Sequence, residues 1–230
     1  MNPPNSAEPQ DLTQRAQRQA EVVKALTACL PAHALLWQSE DTTPYECDGL
    51  SAYRQRPLVV ALPETQEQVQ ALLRSCHALD VPLVARGAGT GLSGGAMPHR
   101  MGVTLSLAKF NRILRVDAVS RTAVVQCGVR NLAISEAAAP HGLYYAPDPS
   151  SQIACTIGGN VAENAGGVHC LKYGLTLHNI VKVRGFTMQG EAVEFGADAL
   201  DAAGYDLLSV VIGSEAVSYT HLTLPTKRIV

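Results

Sequence analysis

Two glycine-rich segments carry the residues best suited to bind a ligand. The first spans residues 85–98 and reads ARGAGTGLSGGAMP. Its glycines let successive backbone N–H groups turn toward one anion, and its threonine and serine hydroxyls add donors without bulk. The segment directly follows an apolar stretch that reads as a β-strand. We therefore predict a loop that binds a pyrophosphate-like group; a flexible surface turn is the alternative.

This first segment does not match two familiar phosphate-binding loops. A Walker A loop ends in Gly-Lys-Ser or Gly-Lys-Thr, whereas Gly95 is followed by Ala96 and Met97. A Rossmann loop opens a helix directly and is followed about 20 residues later by an acidic residue. Here Pro98 interrupts instead. The sequence thus gives no signal for a nucleoside triphosphatase and disfavours a nicotinamide dinucleotide site.

The second segment, residues 147–167, reads PDPSSQIACTIGGNVAENAGG. Its glycines allow close backbone approach, and its asparagine amides and hydroxyls both donate and accept hydrogen bonds with little charge. These properties favour a binding surface for a large, mildly polar heterocycle. The alternative is that the asparagines and glycines only form a set of simple turns.

Composition and cysteine spacing exclude several functions. The 230 residues carry 18 basic and 20 acidic side chains, so a nucleic-acid partner is not expected. The six cysteines include no Cys-x-x-Cys pair, and His169, Cys170 and His178 lack a fourth ligand at a recognised spacing. We predict no metal. No apolar run reaches about 18 residues and no signal peptide is evident, so we expect a cytoplasmic protein, with peripheral attachment through a partner left open.

The elements that position the first loop follow a strand–helix–strand order. Residues 57–62 and 81–86 are short apolar stretches typical of buried parallel strands. Between them, a Thr-x-x-Gln capping box precedes an amphipathic helix over about 66–79. Residues 102–107 are expected to join the same sheet. A leading helix around Val22 to Leu30 follows a disordered stretch over residues 1–10.

The second half of the chain predicts antiparallel pairing. The stretches ILRVD and TAVVQCG are separated by a polar turn, and a second hairpin is expected around Gln189 and Gly190. Asn131 is expected to cap a short helix through Ala139. The fold class is therefore α+β, with a small parallel βαβ subdomain beside a mainly antiparallel sheet flanked by helices.

The two glycine-rich motifs resemble a known family. RGAGTGLSGG, followed about sixty residues later by PDPSSQIACTIGGNVAENAGGVHCLKYG, resembles the FAD-binding domain of the vanillyl-alcohol oxidase and para-cresol methylhydroxylase type flavoproteins. The stretches DGLSAYRQRPLVVALPET (48–65) and VRNLAISEAAAPHGLYYAPDPSSQ (129–152) strengthen a closer resemblance to the FAD-linked 2-hydroxy-acid dehydrogenases of the glycolate oxidase type. The resemblance covers about residues 30–215.

The resemblance implies FAD as cofactor and assigns the site residues. The pyrophosphate would be wrapped by Arg86, Gly87, Ala88, Gly89, Thr90, Gly91, Ser93, Gly94 and Gly95. The flavin and ribityl side would be lined by Asp148, Ser151, Ile157, Gly158, Gly159, Asn160, Asn164, Gly166 and Gly167. Family members that bind FAD covalently often carry a histidine in the first loop, and residues 85–96 contain none. We therefore expect non-covalent FAD.

The implied reaction removes a hydride equivalent from a 2-hydroxy acid, with glycolate converted to glyoxylate. In related proteins a C-terminal domain holds the substrate and the general base, and that domain is expected to be missing here. No catalytic residue is assigned, and His141 and His169 are candidates by residue type alone. The alternatives are a noncatalytic FAD-binding subunit of a flavoprotein oxidoreductase complex and a nucleotide-binding domain unrelated to redox chemistry.

The resemblance also predicts domain limits and partners. We expect an N-terminal arm and helix (1–36), an FAD-binding domain (37–215) with subdomains over about 37–110 and 111–215, and a non-native tail (216–230). After VVIGSE the family continues with a strand that completes the domain, so its absence is expected to leave a sheet edge unpaired. The expected partners are a 2-hydroxy-acid substrate, a second flavin subunit and an iron–sulfur subunit, which would place the protein peripherally at the inner membrane.

Overall fold

The computed structural model describes residues 9–198, 204–215, 219–225 and 227–228. The helices are α1 (Pro9–Leu26), α2 (Ser39–Thr42), α3 (Gln66–Ala78), α4 (Asn131–Ala138), α5 (Ile157–Glu163), α6 (Cys170–Tyr173) and α7 (Leu207–Val211). The strands are β1 (Leu35–Leu36), β2 (Val59–Ala61), β3 (Leu83–Arg86), β4 (Val103–Ser106), β5 (Ile113–Asp117), β6 (Thr122–Gln126), β7 (Leu143–Tyr144), β8 (Lys182–Phe186), β9 (Ala192–Gly196), β10 (Tyr219–Pro225) and β11 (Lys227–Arg228). Short 3₁₀ turns lie at Ala32–Ala34, Thr43–Tyr45, Ala139–His141 and Thr176–Asn179.

The first sheet has the strand order β1-β2-β4-β3. Strands β2 and β3 both run parallel to β4, which lies between them, and β1 pairs antiparallel with β2. Helix α3 connects β2 to β3 and begins with the expected capping box, in which the Gln68 N–H donates to Thr65 Oγ1 at 3.3 Å. The strand–helix–strand prediction is confirmed. Strands β2 and β4 are buried throughout, as expected for strands covered on both faces, whereas β3 is only partly buried.

Helix α1 belongs to the core of this first sheet. Val22 and Leu26 are fully buried and pack in one cluster with Leu72 and Leu73 of α3. Disorder was expected over residues 1–10. Residues 1–8 lie outside the described residues, and the expectation is wrong for Pro9 and Gln10, which begin α1. The separation of residues 1–36 as an arm stays a prediction, but its helix contributes directly to the core.

The second sheet is antiparallel with the order β5-β6-β10-β8-β9. The hairpins β5–β6 and β8–β9 form as the sequence predicted.

The expected unpaired edge is wrong: β10 lies between β6 and β8 and pairs with both. Its segment YTHLTLP contains β-favouring residues, so the tail itself supplies the inner strand. The non-native origin of 216–230 stays a prediction, and residues 216–218, 226, 229 and 230 lie outside the described residues.

Two local expectations need correction. Asn131 does not cap α4: the N-cap position is Arg130, and Asn131 is 1% exposed, with its side-chain amide donating to Pro147 O at 3.0 Å. The alternative of simple turns for the second glycine-rich segment is wrong for residues 157–163, which form α5. This helix ends at Glu163, and Asn164 after it has a φ of +52°, the left-handed conformation that commonly terminates a helix.

Candidate functional site

A cleft lies between the first glycine-rich loop and the segment that contains α5. It has a cavity volume of about 220 Å³ and is partly open to solvent. The loop leaves the carboxyl end of β3, and α5 forms the facing wall. Leu107 and Cys127 contribute apolar surface. Ligands commonly bind in such crevices at the carboxyl ends of parallel strands.

Glycines allow the two walls to meet. A Cβ at position 87 would collide with Thr156 Oγ1 on the facing wall. A Cβ on Gly158 would lie 2.8 Å from Cys127 Cβ, so Gly158 packs tightly against the second sheet. Gly159 differs, because its nearest neighbour would be Thr156 Oγ1 at 3.5 Å. Its backbone therefore borders the open space of the cleft.

The Arg86 side chain lies between the loop that it precedes and the segment around Cys47. Its Nη1 donates to Cys47 O at 2.7 Å, and its guanidinium carbon lies 5.6 Å from the centre of the Tyr45 ring. Gly89 has a φ of +69°, and a Cβ there would collide with the same guanidinium. Arg86 thus holds the segment around Cys47 against the loop, and contact with an anion falls mainly to backbone N–H groups.

The second half of the loop surrounds a carboxylate. Ser93 Oγ donates to both Glu163 oxygens, at 3.0 and 3.2 Å. Cβ atoms at Gly91 or Gly95 would each approach Glu163 Oε1 to 3.2 Å, and Glu215 Oε2 would be equally close to Gly95. Because these negative charges would repel a phosphate, residues 87–90 form the part of the loop best suited to an anion.

Asn160 of α5 belongs to a buried polar network. Asn160 is 4% exposed; its Nδ2 donates to Cys155 Sγ at 3.3 Å, and its Oδ1 accepts from Asn131 Nδ2 at 2.9 Å.

Burial raises the pKa of the Cys127 thiol to about 12. Cys127 therefore contributes a neutral surface to the cleft near neutral pH.

Asp148 and His169, neither of which lines the cleft, form a pair. His169 Nδ1 lies 2.5 Å from Asp148 Oδ2, and the His169 backbone N–H donates to Asp148 Oδ1 at 3.2 Å. Gly167 passes so closely that a Cβ there would collide with the Asp148 carbonyl. The next residue, Pro149, lines the cleft.

The structure brings most of the sequence-predicted residues to the cleft. Those that line it are Arg86, Gly87, Ala88, Gly89, Thr90, Gly91, Gly95, Ser151, Gly158, Gly159 and Asn160. Gly94, Asp148 and Gly166 are adjacent to lining residues in the chain, and Ser93 and Gly167 lie two positions from one. Asn164 Oδ1 instead accepts from Leu177 N at 2.9 Å, and Ile157 is buried in the second core.

Sequence reasoning missed several lining residues. They are Ala85, Ala96, Leu107, Cys127, Pro149, Cys155, Thr156, Ala162, Glu163, Ala165 and Glu215. Glu163 could have been found, because it is one of only two acidic residues within the second motif, the other being Asp148. Leu107 and Cys127 carry no local signal, since an apolar residue that follows a strand is usually a core residue.

The described residues were also searched for metal sites and for membrane-spanning helices. Within them, no three His, Cys, Asp or Glu side chains are grouped so as to hold a metal ion. No described helix is long and apolar enough to cross a membrane.

Comparison with known sequences places residues 57–196 in the family described as FAD binding domain. The chain is 62% identical over 196 residues to the glycolate oxidase subunit GlcD of Escherichia coli (strain K12), covering 85% of this chain and 39% of that protein. It is 39% identical over 172 residues to the subunit of the same name from Bacillus subtilis (strain 168), covering 74% and 37%. D-2-hydroxyglutarate dehydrogenase of Xanthomonas citri pv. viticola is 37% identical, with 84% and 41% covered. The chain thus spans about two fifths of the length of these relatives.

Solved structures share the fold at low sequence identity. Alkyldihydroxyacetonephosphate synthase superimposes with a TM-score of 0.80 at 22% identity, covering 91% of this chain and 40% of that one. The glucose dehydrogenase Phl p 4.0202 superimposes with a TM-score of 0.76 at 18% identity, covering 91% and 44%. At these identities the likeness concerns the fold alone.

Proposed function

This chain belongs to the FAD binding domain family, and from that premise we propose that it forms the FAD-binding portion of a 2-hydroxy-acid dehydrogenase that oxidises glycolate to glyoxylate. The observation that carries the proposal is the joint cleft formed by residues 87–90 and α5. The identity to glycolate oxidase subunits from two bacteria supports glycolate as the substrate.

The cleft residues fit FAD. The backbone of residues 87–90 offers N–H groups to a pyrophosphate, and Gly159 leaves room for a ligand to approach the facing wall. The apolar surface of Leu107 and Cys127 suits an aromatic ring system. Bound FAD supplies the hydride-accepting chemistry, while this chain binds and orients it.

We further propose that FAD is held without a covalent bond. The residues that line the described cleft include no histidine, which agrees with the absence of one from the first loop. Acid denaturation of the FAD-loaded chain should leave the yellow colour in the supernatant. Colour that stays with the precipitated protein would contradict this.

Assembly with partners is part of the proposal. The relatives are named as subunits of glycolate oxidase, which supports a multisubunit enzyme. We infer a second flavin subunit and an iron–sulfur subunit as partners, a cytoplasmic location for this chain, and peripheral attachment to the inner membrane through those subunits. Co-purification of the three subunits from a membrane fraction, with their release by high salt, would test this arrangement.

The FAD site is tested by reconstitution. The purified chain is mixed with FAD and desalted, and its visible absorption spectrum is recorded. Bound oxidised flavin should give bands at about 375 and 450 nm. The matched variant Gly159→Leu should keep the circular dichroism of the folded chain and lose these bands, because its side chain would enter the cleft. A folded wild-type chain without flavin bands would overturn the proposal.

Support of the reaction is tested in a chimera, in which this chain replaces the matching portion of the Escherichia coli glycolate oxidase subunit. Without oxygen, glycolate should bleach the flavin bound by the chimera. A chimera that binds FAD and is not bleached by glycolate would contradict a role for this chain in glycolate oxidation.

A further inference from the structure

Two carboxylates converge on the second half of the first glycine-rich loop. Glu163 is the last residue of α5 and Glu215 follows α7; both line the cleft, and both are exposed. A Cβ at Gly95 would lie 3.2 Å from Glu163 Oε1 and 3.2 Å from Glu215 Oε2, so the two oxygens border the same point beside the loop. The two side chains therefore form one acceptor surface within the cleft.

Backbone hydrogen bonds bring the two carboxylates together. The Glu215 N–H donates to Ala162 O at 2.8 Å, and the Gly213 N–H donates to Val161 O at 2.8 Å. The segment that carries Glu215 is thus fastened to the last turn of α5, which carries Glu163. The fold itself, and not a ligand, places both carboxylates beside the loop.

The described side chains supply no cation to this surface. The ion pairs among the described residues include neither Glu163 nor Glu215. Arg86, which precedes the loop, donates to Cys47 O instead. Glu163 accepts the Ser93 hydroxyl, but a carboxylate has about four lone-pair positions and can accept further hydrogen bonds. The surface therefore has acceptor capacity that a ligand can use.

The charge of this surface favours one part of the cofactor over another. Residues 87–90 offer backbone N–H groups, whereas residues 91–95 are bordered by the carboxylates. Carboxylates repel a pyrophosphate, but they form strong hydrogen bonds with hydroxyl groups. In FAD the pyrophosphate is joined on one side to the ribityl chain and on the other to the adenosine ribose, and both carry hydroxyls. In either direction along the loop, the group next to the pyrophosphate is therefore a hydroxylated one.

We propose that Glu163 and Glu215 accept hydrogen bonds from the hydroxyl groups of FAD that adjoin its pyrophosphate. This rests on the proposed function, because FAD must occupy the cleft. The site is the cleft already described, and the two carboxylates specify how the cofactor lies in it. They favour a neutral, hydroxyl-bearing group beside residues 91–95 and disfavour an anionic group there.

The sign of one substitution distinguishes hydrogen bonding from simple repulsion. Glu215→Gln removes the negative charge and keeps a side chain of the same size. If the carboxylate accepts FAD hydroxyls, the affinity should fall about tenfold, since hydrogen bonds to charged groups are the stronger ones. If the carboxylate only repels the pyrophosphate, the affinity should rise. Isothermal titration of the purified chain with FAD measures the change.

A matched control separates this effect from a change in net charge. Glu136 is exposed on α4 and does not line the cleft, so Glu136→Gln should bind FAD as the wild type does. Glu163→Gln should lose affinity as Glu215→Gln does, while its amide oxygen still accepts the Ser93 hydroxyl. Circular dichroism should show all three variants to be folded.

Two FAD analogues identify which hydroxyls are bound. One lacks both hydroxyls of the adenosine ribose, and the other carries an alkyl chain in place of the ribityl chain. The wild type should bind one of them about tenfold more weakly than FAD. Glu215→Gln should bind that analogue at least as tightly as the wild type does, because the hydrogen bond that distinguishes the two proteins is already missing. With the other analogue, the wild type should keep its advantage over the variant.

The outcomes keep this inference apart from the proposed function. A folded wild-type chain that binds no FAD contradicts the proposed function. A wild type that binds FAD, with glutamine variants at 163 and 215 that bind it equally or more tightly, contradicts only the role of the carboxylates. An equal loss of affinity for FAD and for both analogues in those variants would also overturn that role. Should neither variant fold, wild-type binding of both analogues as tight as that of FAD would reject it.

Discussion

The Ser93 hydroxyl donates a hydrogen bond to the carboxylate of Glu163, seventy residues later in the sequence. Ser93 Oγ lies 3.0 and 3.2 Å from the two carboxylate oxygens. This contact fastens the tip of the first glycine-rich loop to the last residue of α5. Since these two elements form opposite walls of the cleft, the bond helps to set the width of the space that FAD would occupy.

Loss of that bond should weaken FAD binding. Ser93→Ala removes the donor and lets the loop move, so we expect affinity to fall about fivefold, equivalent to about 1 kcal/mol. Isothermal titration with FAD measures this directly. Ser120→Ala is the control, because its hydroxyl bonds Thr122 at 2.8 Å in a hairpin turn away from the cleft. Equal affinities for wild type and Ser93→Ala would contradict the role of the contact.

Two adjacent glycines should respond differently to alanine. In Gly158→Ala the new methyl would lie 2.8 Å from Cys127 Cβ, so unfolding should occur at a temperature several degrees lower, as expected for a loss of about 1–3 kcal/mol. Gly159→Ala has room at 3.5 Å and should unfold like the wild type, while binding FAD more weakly. Thermal unfolding and FAD titration of both variants test the distinction. The reverse pattern would place Gly159, and not Gly158, in the tightly packed region.

The buried amide of Asn131 should contribute substantially to stability. Asn131→Ala leaves Pro147 O and Asn160 Oδ1 without this donor, and we expect the free energy of unfolding to fall by about 2–3 kcal/mol. Urea unfolding followed by circular dichroism measures the change. The exposed Asn111 offers a control, whose alanine variant should lie within about 0.5 kcal/mol of the wild type. A similarly small effect at position 131 would show that the network carries little stability.

Two buried thiols should make the fold sensitive to alkali. Burial raises the pKa of Cys76 and of Cys127 from 9.0 to about 12. Between these values the unfolded chain loses the thiol protons while the folded chain keeps them, so stability is present below about pH 9 and falls as the pH rises toward about 12.

Urea unfolding at several pH values tests this sign. The double variant Cys76→Ala/Cys127→Ala should show a shallower loss of stability above about pH 9, because it lacks both titrating groups. Between about pH 6 and 8 the two proteins should show parallel pH dependence, since both thiols are then protonated in either state. Parallel curves above pH 9 as well would exclude these thiols as the cause.

The sequence alone determined the local elements and the kind of ligand site. The capping box of Thr65 and Gln68 specifies the start of α3, and the apolar runs on either side of that helix specify parallel strands, because these signals depend on neighbours within a few residues. The density of glycine in the first loop likewise indicates close backbone approach, since glycine alone lacks a Cβ.

Only the tertiary structure decided which residues meet across the chain. It brings Glu163 into the second half of the loop, turns Arg86 toward Cys47, joins Asp148 to His169 and inserts β10 between β6 and β8. None of these contacts has a periodic pattern in the sequence, because each depends on the path of the intervening chain and on the packing of whole elements. The composition of the site is therefore local information, whereas its charge arrangement is a property of the folded chain.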